Sequence, residues 1–309
     1  MIDAFAGKEG DTPTVSGHVT VDDSSTMLQR SRQVSITGVI RRNVGAASAL
    51  CLLILIGLLA IVAPLVGIPD ALATHPKEAF SSPSASFWFG SDELGRDMFA
   101  RVVFGARVSL GAALVVVICG ALIGVPLGLV AGYLGGVTDA IFMRLVDVLF
   151  AFPAILLAMG LIAILGQGAL NAAIAVTVVS VPGFARLTRA SVLTEKERDY
   201  VLAARSVGAA NGRIMLRTIL PNCLGPLIVQ AAFVASWAVL LEASLSFLGL
   251  GVKPPTPSWG QMLSTGKDFL YRAPWYGVFP GAALALVVLS LNALGDIAQR
   301  VVDRGWRSL

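Results

Sequence analysis

Charge is what this sequence has least of. Only 14% of its 309 residues are Asp, Glu, Lys or Arg, against 56% that are hydrophobic. An ordinary soluble domain carries about 25% charged and about 45–50% apolar residues. Length alone would allow two soluble domains, but this composition, with a mean hydropathy of +0.79, points to a bilayer. Histidine is reduced to His18 and His75, both in polar segments, which excludes an HExxH helix and an intramembrane metal site. The three cysteines, Cys51, Cys119 and Cys223, lie in or beside apolar runs with no CxxC. They read as small hydrophobes rather than disulfide partners or metal ligands. There is no G-x-x-x-x-G-K-[ST] phosphate loop. The nearest stretch, Gly266-Lys267-Asp268, lacks the glycine spacing and the hydroxyl residue, so the chain is not expected to bind ATP or any other cofactor itself. GFARL around Gly183 is not G-x-S-x-G, and no nucleophile–base pair stands at a readable spacing.

What is present is apolar sequence in long runs. A spanning helix needs about 20 mainly apolar residues. Six segments qualify, at about 44–66, 107–131, 141–165, 169–187, 223–249 and 277–299. Pro182 and Gly183 are expected to interrupt the fourth, a break tolerated where a neighbouring helix or cavity satisfies the freed backbone. The first run is too long for a signal-peptide core and follows a polar tail rich in Asp, Ser, Thr and Gly, so it is expected to stay and the tail, 1–43, to be disordered.

Basic residues orient the spans. Arg30, Arg32, Arg41 and Arg42 precede the first. Arg144, the group Arg186, Arg189, Lys196, Arg198, Arg205, Arg213 and Arg217, and then Arg300, Arg304 and Arg307 follow on the same side. The loops 67–106 and 250–276 are poorer in basic residues for their length. Six spans with both ends in the cytoplasm is the consistent arrangement. Topology thus explains the net charge of +4 and the pI of 9.2, and no nucleic-acid partner is expected.

The segment RDYVLAARSVGAANGRIMLRTILPN, 198–222, sets a basic, helix-forming stretch between two apolar ones. Thr194 and Glu197 have capping-box spacing, predicting a helix over about 195–207. Tyr200, Ala203, Ala204 and Val207 recur on one face. Gly208 suits a left-handed C-terminal cap, Asn211 can cap a second short helix through Leu220, and Pro221 permits a sharp re-entry into the next span. A surface linker or a docking element would both fit. Small residues at Ala203, Ala204, Gly208, Ala209 and Ala210, flanked by arginines, would let another surface approach.

This stretch resembles the EAA loop of binding-protein-dependent ABC importer permeases, in DYVLAARSVGA followed by LPN. FGSDELGRDMFARVVFGARVSL, MRLVDVLFAFPAILLA, SFLGLGVKPPTPSWGQML and LNALGDIAQRVVD are similar to the C-type permease subunit of dipeptide, oligopeptide and nickel importers. The likeness covers about 40–309. It implies an all-α membrane protein, six transmembrane helices in the type I ABC importer permease fold, divided as 44–106, the first helix and outer loop, and 107–309, a five-helix core with a coupling loop at 188–222. It implies a coupling helix in which Asp199, Tyr200, Ala203, Ala204, Arg205, Gly208, Ala209, Asn211, Pro221 and Asn222 engage an ATPase. The partners implied are a B-type permease, two cytoplasmic ATPases that bind ATP and Mg, an extracytoplasmic substrate-binding protein and membrane lipid, in a bacterial inner membrane. Three positions depart from the family: Leu202 replaces the loop's namesake glutamate, Thr218 a frequent histidine, and Asp303-Arg304-Gly305 the usual Asp-Pro-Arg.

Charges within the spans are costly and face a cavity or a partner. Asp147 is expected either to pair with Arg144 one turn away or to line the translocation path. Glu242 lines the path or bonds a neighbouring helix, and Asp296 is expected to be structural. The aromatics Phe233, Trp237, Phe269, Tyr271, Trp275 and Tyr276 read as packing and interface anchors. In SDELGRD, Ser91 can cap a helix with Asp92 and Glu93 in its first turn, or the segment forms part of the surface that receives a binding protein. An ion-driven secondary transporter and a membrane scaffold remain as other readings, the first disfavoured by the lack of an internal repeat.

Overall fold

The computed structural model describes residues 44–65 and 67–306. The tail to residue 43, with its four arginines and His18, lies outside the described residues, as do Arg307 and the side chains of Asp303 and Arg304. The elements are α1 (Val44–Val62), α2 (Met98–Leu134), α3 (Gly136–Phe150), α4 (Ala154–Leu165), α5 (Ala169–Glu195), α6 (Asp199–Ser206), α7 (Asn211–Arg213), α8 (Leu220–Phe247), α9 (Trp259–Gly266) and α10 (Trp275–Trp306). No strand occurs among the described residues, only an isolated bridge between Ser91 and Asp97.

Among the described residues, four helical stretches are long and apolar enough to cross a membrane: Met98–Leu134, Ala169–Glu195, Asn211–Phe247 and Trp275–Val302. The expected third span is a bent pair, α3 and α4, turning through 91°. The break falls at Ala151–Pro153, where proline lacks an N–H and bars the preceding residue from helical geometry. α1 contributes a shorter apolar helix over 47–62.

The centre of the molecule is the pair α2 and α5, with α8 packed on both, α10 on α8 and α1 on α10. Gly120, Gly124, Gly128 and Gly132 recur every fourth residue of α2 and so share one face. A Cβ at each would lie 2.5 Å from Ser180 Oγ, 2.6 Å from Phe184 Cβ, 2.3 Å from the Ala185 carbonyl oxygen and 2.9 Å from Val192 Cβ. Small residues let membrane helices approach this closely where van der Waals packing is the main attraction. This close packing explains why α5 runs unbroken through Pro182 and Gly183 for 27 residues, against the expected interruption. Its buried face rests on α2 throughout, and a neighbouring helix steadies the proline turn.

At 37 residues α2 is about 55 Å long and overshoots a hydrocarbon core of about 30 Å. Its first two turns enter the 67–97 loop, and its last turn carries Tyr133 to the 196–213 hairpin. The two ends of the bundle are therefore distinct: one built from 67–97 and 250–276, the other from the hairpin.

Candidate functional site

The hairpin is built on the end of α5. The predicted capping box is absent. Thr194 Oγ1 donates back to the Ala190 carbonyl, 3.2 Å away, and Glu195 closes α5 as a buried residue. The break comes at Lys196–Arg198, and α6 starts at Asp199 without a side-chain cap. The expected cap loses because Val192 packs on Gly132 of α2 and Lys196 bonds the Gly132 carbonyl, which carries α5 past Thr194.

The far end of α6 matches the expectation. Gly208 has φ +76°, its N–H donates to the Arg205 carbonyl at 2.9 Å, and the Ala209 N–H donates to the Ala204 carbonyl at 3.1 Å. These are the two bonds of a Schellman cap. No atom lies within 4 Å of a Cβ built at Gly208, so this corner is open to an incoming surface. α6 turns Val201 and, in part, Ala204 inward; Asp199, Tyr200, Leu202, Ala203, Arg205 and Val207 are exposed, Val207 at 84%. Of the four residues expected on one face, Tyr200, Ala203 and Val207 form the exposed stripe, with Ala204 at its inner edge.

Asn211 does not cap α7; its neighbour Ala210 holds the capping position with no side-chain bond. Asn211 Oδ1 instead accepts from Tyr133 Oη at 2.9 Å. Nor does Pro221 make a sharp turn. Residues 214–219 form a π-helical turn in which the Leu220 N–H reaches the Met215 carbonyl, and 211–247 is one continuous helix. A proline removes one i→i−4 bond and crowds the carbonyl it would have used; the wider π turn just ahead of Pro221 relieves both. Asn222 Nδ2 donates to the Thr218 carbonyl at 2.8 Å, fastening the same turn.

Two tyrosines tie the hairpin to the bundle. Tyr133, at the end of α2, is nearly buried and lies under the Arg205 guanidinium, 5.3 Å from its ring centre. Tyr200 donates its hydroxyl to the Glu195 carboxylate. Partial burial and that carboxylate push the Tyr200 hydroxyl up to about 12, so it remains a donor at any physiological pH.

Two charged residues of the spans, Asp147 and Glu242, find protein partners. Asp147 accepts from Arg186 of α5 at 2.6 Å rather than pairing with Arg144, and Arg186 also stacks on Phe150, 4.1 Å from its ring centre. The pair is about half exposed. Glu242 is 3% exposed and accepts from Ser109 at 3.1 Å and Ser246 at 2.7 Å. Of its two alternatives the structure shows the bond to the neighbouring helix. Asp296 is exposed on α10.

At the opposite end SDELGRD is not a helix start. Asp97 caps α2, accepting from the Phe99 and Ala100 N–H groups at 2.7 and 3.1 Å. Asp92, wholly buried, accepts from the Leu94 and Arg96 N–H groups, both at 2.9 Å, and from Arg96 Nε at 2.5 Å. Arg101 Nε stands 3.4 Å from the same carboxylate. Glu93 bonds Arg96 at 2.9 Å and Tyr276 Oη at 2.5 Å. Trp275 Nε1 donates to the Ser91 carbonyl at 3.2 Å. Tyr276, Trp275 and Phe269 are thus packing residues as expected, whereas Tyr271 is fully exposed. Among the described residues no group of His, Cys, Asp and Glu is placed to hold a metal.

Residues that reasoning from sequence passed over are the four glycines of α2 and Tyr133. Four glycines at four-residue spacing in an apolar run are a readable packing signal; nothing local marks Tyr133.

Residues 124–308 match the family described as the binding-protein-dependent transport system inner membrane component. The chain is 44% identical over 251 residues to the dipeptide transport system permease protein of Alkalihalophilus pseudofirmus, covering 81% of this chain and 83% of that one. It is 43% identical over 267 residues to the di/tripeptide transport system permease protein of Pseudomonas aeruginosa, covering 84% and 88%. With the glutathione transport system permease protein of Pectobacterium atrosepticum it shares 44% over 226 residues, 73% and 75% of the two chains. A chain of the methionine ABC transporter MetNI, solved in inward-facing conformations, superposes with a TM-score of 0.55 at 22% identity over 67% of this chain and 97% of its own; that likeness is one of fold. The chain belongs to the binding-protein-dependent transport system inner membrane component family and is the permease subunit of an ABC importer.

Proposed function

We propose that this permease carries peptides, as one half of a translocation path completed by a second, B-type permease. Six spans, with α1 and the bent α3–α4 pair counted as one each, put both termini and the hairpin in the cytoplasm. Two cytoplasmic ATPases bind ATP and Mg and dock on the hairpin. An extracytoplasmic binding protein delivers the peptide at the end formed by 67–97 and 250–276.

What carries the substrate reading is the identity of 43–44% to relatives named for dipeptides and di/tripeptides, over more than four-fifths of the chain. Supporting the coupling reading is a short helix closed by a Schellman cap, with an exposed face and a glycine corner open to solvent. Rigid transmission requires such an element, because a fraying helix would absorb movement instead of passing it on.

The test is purification of the tagged chain from its host membrane, identification of co-purifying subunits, and reconstitution in vesicles with labelled dialanine. Co-recovery of a second permease and Walker-containing ATPases, with ATP-dependent dialanine uptake, is the expected result. Gly208→Glu, which sets a charged side chain at a left-handed position, is expected to reduce uptake at least tenfold with membrane insertion unchanged. Recovery of the chain alone, with uptake driven by an ion gradient, would sink the reading.

A further inference from the structure

The exposed face of the hairpin accounts for docking, but docking alone moves no membrane helix. Three contacts converge on the last turn of α2. Tyr133 Oη donates to Asn211 Oδ1 at 2.9 Å, at the start of α7. The Tyr133 ring lies under the guanidinium of Arg205 at the end of α6. Lys196 Nζ, in the link between α5 and α6, donates to the Gly132 carbonyl at 3.4 Å. One residue of α2 and its neighbour therefore touch both helices of the hairpin and the stretch of chain that enters it.

The turn they occupy is also where the glycine face ends. Gly132 meets Val192, so a force applied to Tyr133 acts on α2 and α5 as a single packed body. The route into α8 differs: there the hairpin continues through the π turn at 214–219, a helix form frequent at functional sites. The hairpin is thus joined to α2 through side chains and to α8 through continuous backbone.

We infer that Tyr133 is the positioning residue through which hairpin movement is transmitted to the α2–α5 pair, acting through Asn211 and Arg205. This rests on the reading of the hairpin as the ATPase-coupling element. Tyrosine is suited to such a joint. Its ring is a broad, nearly buried contact for a guanidinium, and its hydroxyl adds a directional bond that fixes the angle of α7.

The measurement is dialanine delivered per ATP hydrolysed by the intact reconstituted importer. Tyr133→Phe keeps the ring and removes the hydroxyl; Asn211→Ala removes the acceptor. Each is expected to lower the ratio about two- to tenfold, the range set by the net worth of one hydrogen bond. If the bond is the transmitting element, the double variant falls no further than the worse single one. A purely structural bond would change the yield of assembled importer and leave the ratio alone. Effects that multiply in the double variant or an unchanged ratio in Tyr133→Phe would each overturn the joint. A wild-type importer that takes up no dialanine would overturn the substrate reading instead, and is told apart because it appears before any substitution is made.

Discussion

Asp92 shows how much a single side chain holds at the loop end of the bundle. Its carboxylate is wholly buried and faces two arginines, of which Arg101 is itself 1% exposed. Removing one partner of such a pair leaves uncompensated charge in an apolar setting, at a cost of about 3–5 kcal/mol. Asp92→Ala is therefore expected to lower the thermal unfolding midpoint in detergent and to free the 76–97 loop for proteolysis. A midpoint unchanged from wild type would show that water reaches the arginines and that the pair is dispensable. Glu242 argues the same way inside the bundle: its Ser109 donor makes it a link between α2 and α8, and Ser246 of its own helix supplies a second bond. Local spacing did not reveal either arrangement. The sequence motif sets Asp92 and Glu93 just after Ser91 as if in the first turn of a helix, while Ser91 and Asp92 are also claimed by Glu78, Ser81, Trp275 and Arg101, all outside the motif.

At the scale of helices, close approach decides the architecture. The glycine face of α2 allows its backbone to meet that of α5 over four turns, and filling it would force the helices apart. Overpacking of this kind costs about 1–3 kcal/mol. Gly128 has the tightest approach of the four, with backbone rather than a movable side chain in the way. Gly128→Leu is expected to lower the unfolding midpoint and to reduce ATP-coupled uptake, since α2 and α5 no longer move together. Gly111, on the same helix but with open space where its Cβ would be, is the control: Gly111→Leu is expected to leave both measurements near wild type. The hairpin teaches a related lesson. Its C-terminal cap follows from one glycine and was legible; its start was not, because α5 is carried past Thr194 by contacts with α2 that no local spacing encodes. Pro221 signalled a turn and instead sits in a continuous helix, since a π turn absorbs the missing bond.

For the whole molecule the question is which end faces which compartment. The hairpin end and the 67–97/250–276 end are separated by the full length of α2, and basic residues gather at the first. Single cysteines placed at Val207 and Tyr271, in a chain whose own Cys51, Cys119 and Cys223 are replaced by serine or alanine, are expected to react with an impermeant maleimide from opposite sides. Val207 should label only in inside-out vesicles and Tyr271 only in intact cells, as both positions are exposed. Labelling of both from one side would overturn the six-span arrangement.

Sequence alone determined the environment, the helical class, the rough place of the apolar runs and the left-handed corner at Gly208. These depend on composition, on run length against membrane thickness, and on the conformational freedom of one residue, all of which are local. Tertiary structure decided the rest: that Asp147 pairs with Arg186 and not Arg144, that Glu242 bonds Ser109, that α5 crosses its proline unbroken, and that Tyr133 holds Asn211 from 78 residues away. Each of these is set by which helix lies alongside. In an apolar medium, where burial of greasy surface distinguishes little among packings, that choice falls to shape and to the few polar groups that must find partners.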